Sequence, residues 1–219
     1  MRILITLGPT KEYIDAVRFI SNNSSGRMGF SLAEESIARG YDTTIISGPV
    51  TLEFPGDWKV IKVISARDMI NKTLGILDEG SFDVFICSAA ISDYSVKNPT
   101  NGKIPSNKDE LVVILKRNPK LTLLVREKFP KIFIVGFKAE YNIPEEELLR
   151  RAYSKLVTER LDLVFGNDIA KFPMGSEKTG GILIDRMGKY KKIEPCDKRE
   201  LAKIIFDEIE KELKRNAVL

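Results

Sequence analysis

The chain has 219 residues, 43% hydrophobic and 30% charged, with 15 Gly and 10 Pro. That is enough apolar material for one α/β domain, and it excludes disordered and collagen-like classes. There is no histidine, which excludes Ser-His-Asp and Cys-His nucleophiles, a histidine general base and His-ligated zinc, and the formal charge of +4 is a mild excess that suits phosphorylated ligands.

Met1-Arg2 leads straight into an apolar run with no signal-peptide region before it, and no apolar run approaches the roughly 20 residues of a membrane span. Cys87 and Cys196 are far apart and have no metal-ligand spacing, which fits a reducing compartment. A soluble, cytoplasmic protein with no membrane and no nucleic-acid partner is expected.

Residues 3–7 predict a buried strand ended by Gly8-Pro9-Thr10, followed by an unusually long loop. Met28, Leu32, Ala33, Ile37 and Ala38 then recur near helical spacing and Gly40 supplies a stop, predicting a helix over 26–39. Strands at 43–46 and 59–63, a helix at 66–79 and a strand at 84–87 continue the alternation. From Ser92 to Asp109 the chain is polar, and it is followed by the apolar run Leu111 to Leu115 and by Arg117-Asn118-Pro119. This excursion is expected to form a flap or an oligomer contact. Beyond it come a helix at 121–128, a strand at 132–135, a helix at 145–160, a strand at 163–165 and a hairpin of 181–185 with 190–193. A last helix over 198–214 carries Leu201, Ile205, Ile209 and Leu213 as its buried stripe. The pattern predicts one Rossmann-like α/β domain over 1–219, a mainly parallel sheet with helices on both faces, interrupted by the 92–115 excursion.

Chemistry is concentrated at the predicted strand ends. In the first loop, Gly8 and Gly26 allow close backbone approach, Ser24 and Ser25 offer hydroxyls, and a helix beginning near Gly26 presents free amides, so the segment reads either as an anion site or as a structural turn. Neither GxGxxG nor GxxxxGK[ST] is present. Asn22 and Asn23 can donate to a carbonyl or an anionic intermediate while Arg18 holds a phosphate or carboxylate, or the three form a polar turn with a surface arginine. Ala89, Ala90 and Asp93 follow the strand ending at Cys87, at the carboxyl edge where ligands bind in parallel sheets; Asp93 serves a ligand or caps a turn. Lys97, Lys103 and Lys108 lie on the irregular segment, solvated or poised to meet an anion on closure. Phe137, Asn167 and Asp168 follow later strands, where a ring can pack and polar edges can be bound.

Gly8-Pro9-Thr10, Ile14-Asp15, Val17-Arg18-Phe19-Ile20-Ser21-Asn22, Ser24-Ser25-Gly26 and Met28-Gly29 form an ordered set. It continues in Ser47-Gly48-Pro49, Ala89-Ala90 with Asp93-Tyr94, Asn118-Pro119, Gly136-Phe137 with Ala139-Glu140, Asn167-Asp168 and Ile184-Asp185. Over nearly the whole chain this resembles phosphopantothenoylcysteine synthetase, the ligase domain of bifunctional coenzyme A biosynthesis proteins. The resemblance implies a two-step ligation. A nucleoside triphosphate, CTP or ATP, transfers its nucleoside monophosphate to the carboxylate of 4'-phosphopantothenate, and the amine of L-cysteine then displaces it. Such chemistry suits a histidine-free chain, because positioning, charge stabilisation and Mg2+ on the triphosphate supply much of the catalysis.

By the same resemblance, Asn22 and Lys103 are the catalytic positions, Asn22 beside the acyl-nucleotide and Lys103 on the closing flap. The nucleotide set is Gly8, Ser24, Ser25, Gly26, Ala89, Ala90, Asp93, Lys103, Phe137, Asn167 and Asp168; Arg18, Asn22 and Asn23 face phosphopantothenate. The ligands of the Mg2+ are left unassigned. Two departures stand out. The family's flap segment Lys-Ile-Lys-Lys is here Lys103-Ile104-Pro105-Ser106, shifting closure toward Lys97 or Lys108, and Lys138 replaces an alanine beside the expected base. A homodimer is implied, with the excursion as part of its contact. The first strand begins too early to leave room for the family's flavin-dependent decarboxylase, so no flavin is expected and decarboxylation falls to a separate protein.

Two other classes fit less well. A nucleotide-dependent oxidoreductase lacks its glycine fingerprint, and Tyr94 with Lys97, though spaced as Tyr-x-x-x-Lys, falls in the irregular segment. An RNA-associated protein would need clustered basic and aromatic residues, whereas here basic residues are interspersed with acidic ones.

Overall fold

The computed structural model describes residues 1–107 and 109–218, with side chains described as far as residue 215; Lys108 lies outside the described residues. In the first strand, β1 (Arg2–Leu7), Ile3, Ile5 and Leu7 face one hydrophobic cluster and Leu4 faces the other, all fully buried. That is the signature of a central strand covered on both faces. The long loop of the sequence reading is instead a small hairpin, β2 (Lys11–Tyr13) paired antiparallel with β3 (Phe19–Ser21). Tyr13 meets Phe19 edge-on at 5.7 Å, and Asp15 closes the turn by accepting from the amides of Val17 and Arg18 at 2.8 and 2.7 Å. Helix α1 (Arg27–Ala38) follows. It approaches β1 closely because a Cβ on Gly29 would lie 2.3 Å from that of Leu7.

Strands β4 (Asp42–Ser47) and β5 (Lys59–Lys62) pair parallel. Helix α2 (Ala66–Glu79) begins in a reciprocal capping box between Ser65 and Asp68, and buried Glu12 accepts from the Ala66 amide at 2.8 Å. After β6 (Val84–Cys87) the excursion leaves the sheet through a two-stranded stem, β7 (Tyr94–Val96) with β8 (Leu115–Arg117). The apolar run 111–114 forms no strand, and Leu111, Val112 and Ile114 are exposed.

Helix α3 (Leu121–Lys128) and strand β9 (Phe133–Glu140) follow, then helix α4 (Glu145–Thr158) and strand β10 (Leu163–Asp168). Both strands run further than their apolar cores predict, since residues 136–140 and 166–168 keep pairing in parallel register, Lys138 opposite Gly166 and Glu140 opposite Asp168. Strands β11 (Lys178–Asp185) and β12 (Tyr190–Asp197) form the expected hairpin, and α5 (Lys198–Val218) closes the chain.

The main sheet has the order β12-β11-β10-β9-β6-β1-β4-β5. Its six strands from β10 to β5 are parallel, and β11 and β12 are antiparallel. One core holds α1 and α5 residues such as Leu32, Ile205 and Ile209; the other holds Met69, Val125, Leu156 and their neighbours from α2, α3 and α4. Helices therefore cover both faces. From β1 the chain first builds outward through β4 and β5, then returns to add β6 on the other side. The carboxyl ends of β1 and β6 thus flank a switch point, where an open α/β sheet leaves a crevice. No helix among the described residues is long and apolar enough to cross a membrane.

Candidate functional site

A cavity of about 560 Å³ opens at that switch point, within the range of small-molecule sites. Its first wall is the turn from β3 into α1. The Asn22 amide donates to the carbonyl of Ala90 at 3.0 Å and lies 3.4 Å from that of Ile91, which fastens this turn to the segment after β6. Gly26 is the N-cap of α1, in the left-handed region at φ 76°, and no side chain caps the helix. Ser24 and Ser25 reach the Gly26 and Arg27 amides only at 3.4 Å.

The second wall is 87–93. The Ala90 amide donates to Gly8 at 2.9 Å, so Gly8 supports the wall from behind. Asp93, at the rim, accepts from Lys120 at 2.6 Å. Lys120 is the N-cap of α3, which again has no side-chain cap. One turn in, Thr122 donates to buried Glu159, whose carboxylate also holds Lys155 at 2.7 and 2.8 Å. The floor carries Phe137, edge-on to Phe165 at 6.1 Å, and Lys138, held by Glu140 at 2.7 Å. Phe172 to Ser176 close the far side, where Lys198 donates to the Ser176 carbonyl.

The electrostatics of these helices divide them. Helix α2 has its capping box and Glu12, α4 has Glu145, Glu146 and Glu147 in its first turn, and α5 has Glu200 with the Asp197 carboxylate on its amide. Only α1 and α3 have neither a capping side chain nor an acidic first turn, and both open into the cavity. Uncapped amides and the positive end of the helix dipole favour anions. Among the described lining residues, Arg27, Lys120, Lys138, Lys155 and Lys198 face one carboxylate, Asp93. Burial, with Arg27 nearby, pushes the Lys198 ammonium below its usual range, and an anion beside it would favour its charged form. Cys87 lines the cavity too, but burial pushes its thiol up, which argues against a thiolate nucleophile.

Of the residues named from the sequence, Asn22, Asn23, Ser24, Ser25, Gly26, Ala89, Ala90, Asp93, Phe137 and Asn167 line the cavity. Gly8, Arg18, Lys103 and Asp168 are not among its lining. Arg18 is paired with Asp15 in the hairpin turn at 2.5 Å. Lys103 is exposed on the excursion. Asp168 is buried and accepts from the amides of Asn142 and Ala170 at 2.8 and 2.9 Å. Burial raises its pKa, and these amides more than offset that and hold it below the usual carboxylate range; its carboxylate shapes the loops behind the site. The sequence reading missed Arg27, Lys120, Thr122, Lys155 and Lys198. Lys120 carried a signal in the adjoining Asn118-Pro119, whereas Lys155 and Lys198 look like any solvated helix lysine until the helices are docked.

The family model described as "DNA/pantothenate metabolism flavoprotein C-terminal domain" matches residues 1–213. The chain is 40% identical over 216 residues to the coenzyme A biosynthesis bifunctional protein CoaBC of Thermococcus kodakarensis, covering 97% of this chain and 51% of that protein. It spans about half the length of the curated relatives it matches. Among solved structures, it superposes on the C-terminal domain of a coenzyme A biosynthesis bifunctional protein CoaBC with a TM-score of 0.81 at 28% identity, covering 98% of this chain and 96% of the other. For a DNA/pantothenate metabolism flavoprotein from Streptococcus pneumoniae the TM-score is 0.83 at 26% identity, with 97% and 99% covered.

Proposed function

The chain belongs to the family of DNA/pantothenate metabolism flavoprotein C-terminal domains, and from that premise we propose that it is a ligase joining 4'-phosphopantothenate to L-cysteine in coenzyme A biosynthesis, at the expense of CTP or ATP. The observation that carries this reading is the convergence of two uncapped helix N-termini and five cationic side chains on one cavity. Both the triphosphate and phosphopantothenate are anions, and two separate amide clusters suit them.

In the first step a carboxylate oxygen of phosphopantothenate attacks the α-phosphorus of the nucleotide. The bond to the β-phosphate oxygen breaks, and its electron pair leaves on pyrophosphate. In the second step the cysteine amine attacks the acyl carbon, the bond from that carbon to the nucleotidyl oxygen breaks, and CMP or AMP departs; the amine proton passes to solvent. The Asn22 amide nitrogen is held by the Ala90 carbonyl and makes only a long contact to that of Ile91; an N–H of this amide meets charge developing on the acyl-nucleotide. Phe137 and Asn167 bound the nucleotide, Lys120 and Lys155 face phosphate oxygens, and Lys103 arrives with the flap. Asn23 belongs to the phosphopantothenate side, while the Arg18 guanidinium is taken up by Asp15 and the Ile104 carbonyl. Lys138, beside Phe137, bears on the choice between CTP and ATP.

Mg2+ fits the lining chemistry, because it is commonly held by one or two carboxylates together with substrate phosphates, and Asp93 is the lining carboxylate. When bound it neutralises triphosphate charge. The carboxylate group of Asp185, Glu208 and Glu212 is not the place for it: Asp185 pairs with Leu163 at the start of β10, the sheet edge opposite the cavity. The proposed ligation takes place in the cytoplasm.

A homodimer belongs to the same proposal. Tyr13, Val17, Phe19 and Ile20 of the hairpin, and Tyr94, Leu111, Val112, Ile114 and Leu115 of the excursion, are exposed, and β2 packs beside β7, so two apolar groups adjoin where a partner copy would cover them. Sedimentation over a wide concentration range is expected to give twice the chain mass; a monomer that keeps full activity would overturn this contact.

The reaction itself is tested with purified protein, Mg2+, 4'-phosphopantothenate, cysteine and either nucleotide, following coupled product by mass spectrometry. Product should require every component. Folded protein giving none with CTP or ATP would refute the ligase reading.

A further inference from the structure

The Asp15 carboxylate is buried, and its two oxygens do different work. Oδ1 accepts from the amides of Val17 and Arg18 and so makes the hairpin turn. Oδ2 accepts from the Arg18 guanidinium at 2.9 and 2.5 Å and, across the chain, from the Ile104 amide at 3.1 Å. Arg18 Nη2 completes the ring by donating to the Ile104 carbonyl at 2.6 Å. Both backbone groups of Ile104 are therefore held by one ion pair. The same hairpin tip also binds the excursion through Thr100 N to Ile14 O at 3.0 Å and Ala16 N to Gly102 O at 3.4 Å. These contacts bracket Lys103, which is exposed. Beyond it, residues 105–114 form no helix or strand among those described.

A charge-assisted, buried carboxylate on backbone amides is a rigid attachment, and the amides of Arg18, Val17 and Ile104, with the guanidinium, outweigh burial to hold Asp15 well below the usual carboxylate range. We propose that Asp15 is a positioning residue: through Oδ2 and Arg18 it braces residues 102–104 against the hairpin and so fixes where the flap lysine, Lys103, starts its approach to the nucleotide. This rests on the ligase reading, which gives Lys103 its role.

Asp15→Asn keeps an oxygen for the turn but replaces the accepting Oδ2 with a donor; Asp15→Ser keeps one oxygen for the turn and loses the reach to Ile104. Both are expected to melt below wild type, because the Asp15 charge leaves a buried pair with Arg18, and to remain folded at the assay temperature. Trypsin should cut after Lys103 about tenfold faster in each, read by mass spectrometry of the fragments, because the bracing of that peptide is loosened. Ligation kcat/KM for the nucleotide should fall about tenfold, and the double variant Asp15→Asn/Lys103→Gln should lose in total no more than Lys103→Gln alone, since both act through one side chain. Unchanged cleavage, or losses that multiply in the double variant, would overturn the brace. Unfolding of both variants would reduce Asp15 to a structural residue. Full activity of Lys103→Gln alone, with cleavage accelerated in the Asp15 variants, would instead remove the ligase role of Lys103 and leave the brace without a catalytic purpose.

Discussion

Asn22→Asp is expected to lower ligation turnover by about 10²–10³-fold, the range found when a donor to a developing oxyanion is removed. The substitution replaces an NH2 group with a second carboxylate oxygen. In the free protein that oxygen would face the Ala90 and Ile91 carbonyls, which now accept from Asn22; in the reaction it would face growing negative charge. The first effect is structural and small, no more than the roughly 0.5–1.5 kcal/mol of an ordinary hydrogen bond, because the contact is exposed and water can replace the lost donor. The second is catalytic and larger. Turnover at saturating substrates separates the two from a thermal melt of the same preparation. Turnover within twofold of wild type, in folded protein, would take Asn22 out of the catalytic set.

Arg126→Ala should carry the largest stability loss. The Arg126 side chain is 10% exposed and that of its partner Asp162 is 12%. Its guanidinium donates to Asp162 at 2.6 Å and to the carbonyls of Arg160, Pro130 and Ile132, each at 2.8 Å. Removing it strips three carbonyls of this donor and leaves the buried carboxylate with the Ile134 amide at 2.8 Å and Arg186 only at 3.9 Å, and breaking a buried pair from one side costs about 3–5 kcal/mol. The consequence reaches the site. Helix α3 has eight residues, so its open N-terminus at Lys120 is aimed by whatever holds its last turn, and Arg126 ties that turn to the entries of β9 and β10. Denaturant unfolding should show a lower midpoint with an unchanged slope. A loss below about 1 kcal/mol, the value of an ordinary exposed pair, would contradict this clamp.

What the sequence made legible follows from how local each signal is. The bounds of α2, β6 and α3, at Ala66–Glu79, Val84–Cys87 and Leu121–Lys128, are as periodicity and breakers predict, since both ends are marked by nearby residues. The β2–β3 hairpin was hidden because its strands are three residues long, mixed in polarity, and stabilised by a turn that depends on Asp15. The far halves of β9 and β10 were hidden because their strand character comes from pairing with each other. At the site, the wall residues Asn22 to Gly26 and Ala89 to Asp93 were legible as glycine, serine and alanine clusters at strand ends. The cations Lys155 and Lys198 were not, because periodicity says which face of a helix is buried but not which exposed lysine meets a cavity. Arg18 and Asp168 show the converse. Each has the chemistry of a binding residue, and here each is engaged in shaping the backbone beside the site.

The central claim is that the carboxylate is activated as an acyl-nucleotide, and an isotope placed on that carboxylate tests it most directly. Purified protein is supplied with 4'-phosphopantothenate carrying oxygen-18 in its carboxylate, Mg2+, cysteine and the preferred nucleotide, and the products are weighed by mass spectrometry. Attack on the α-phosphorus followed by cleavage at the acyl carbon leaves one labelled oxygen on the nucleoside monophosphate, with none on pyrophosphate. Label in inorganic phosphate or pyrophosphate, or coupled product formed with unlabelled nucleoside monophosphate, would contradict it.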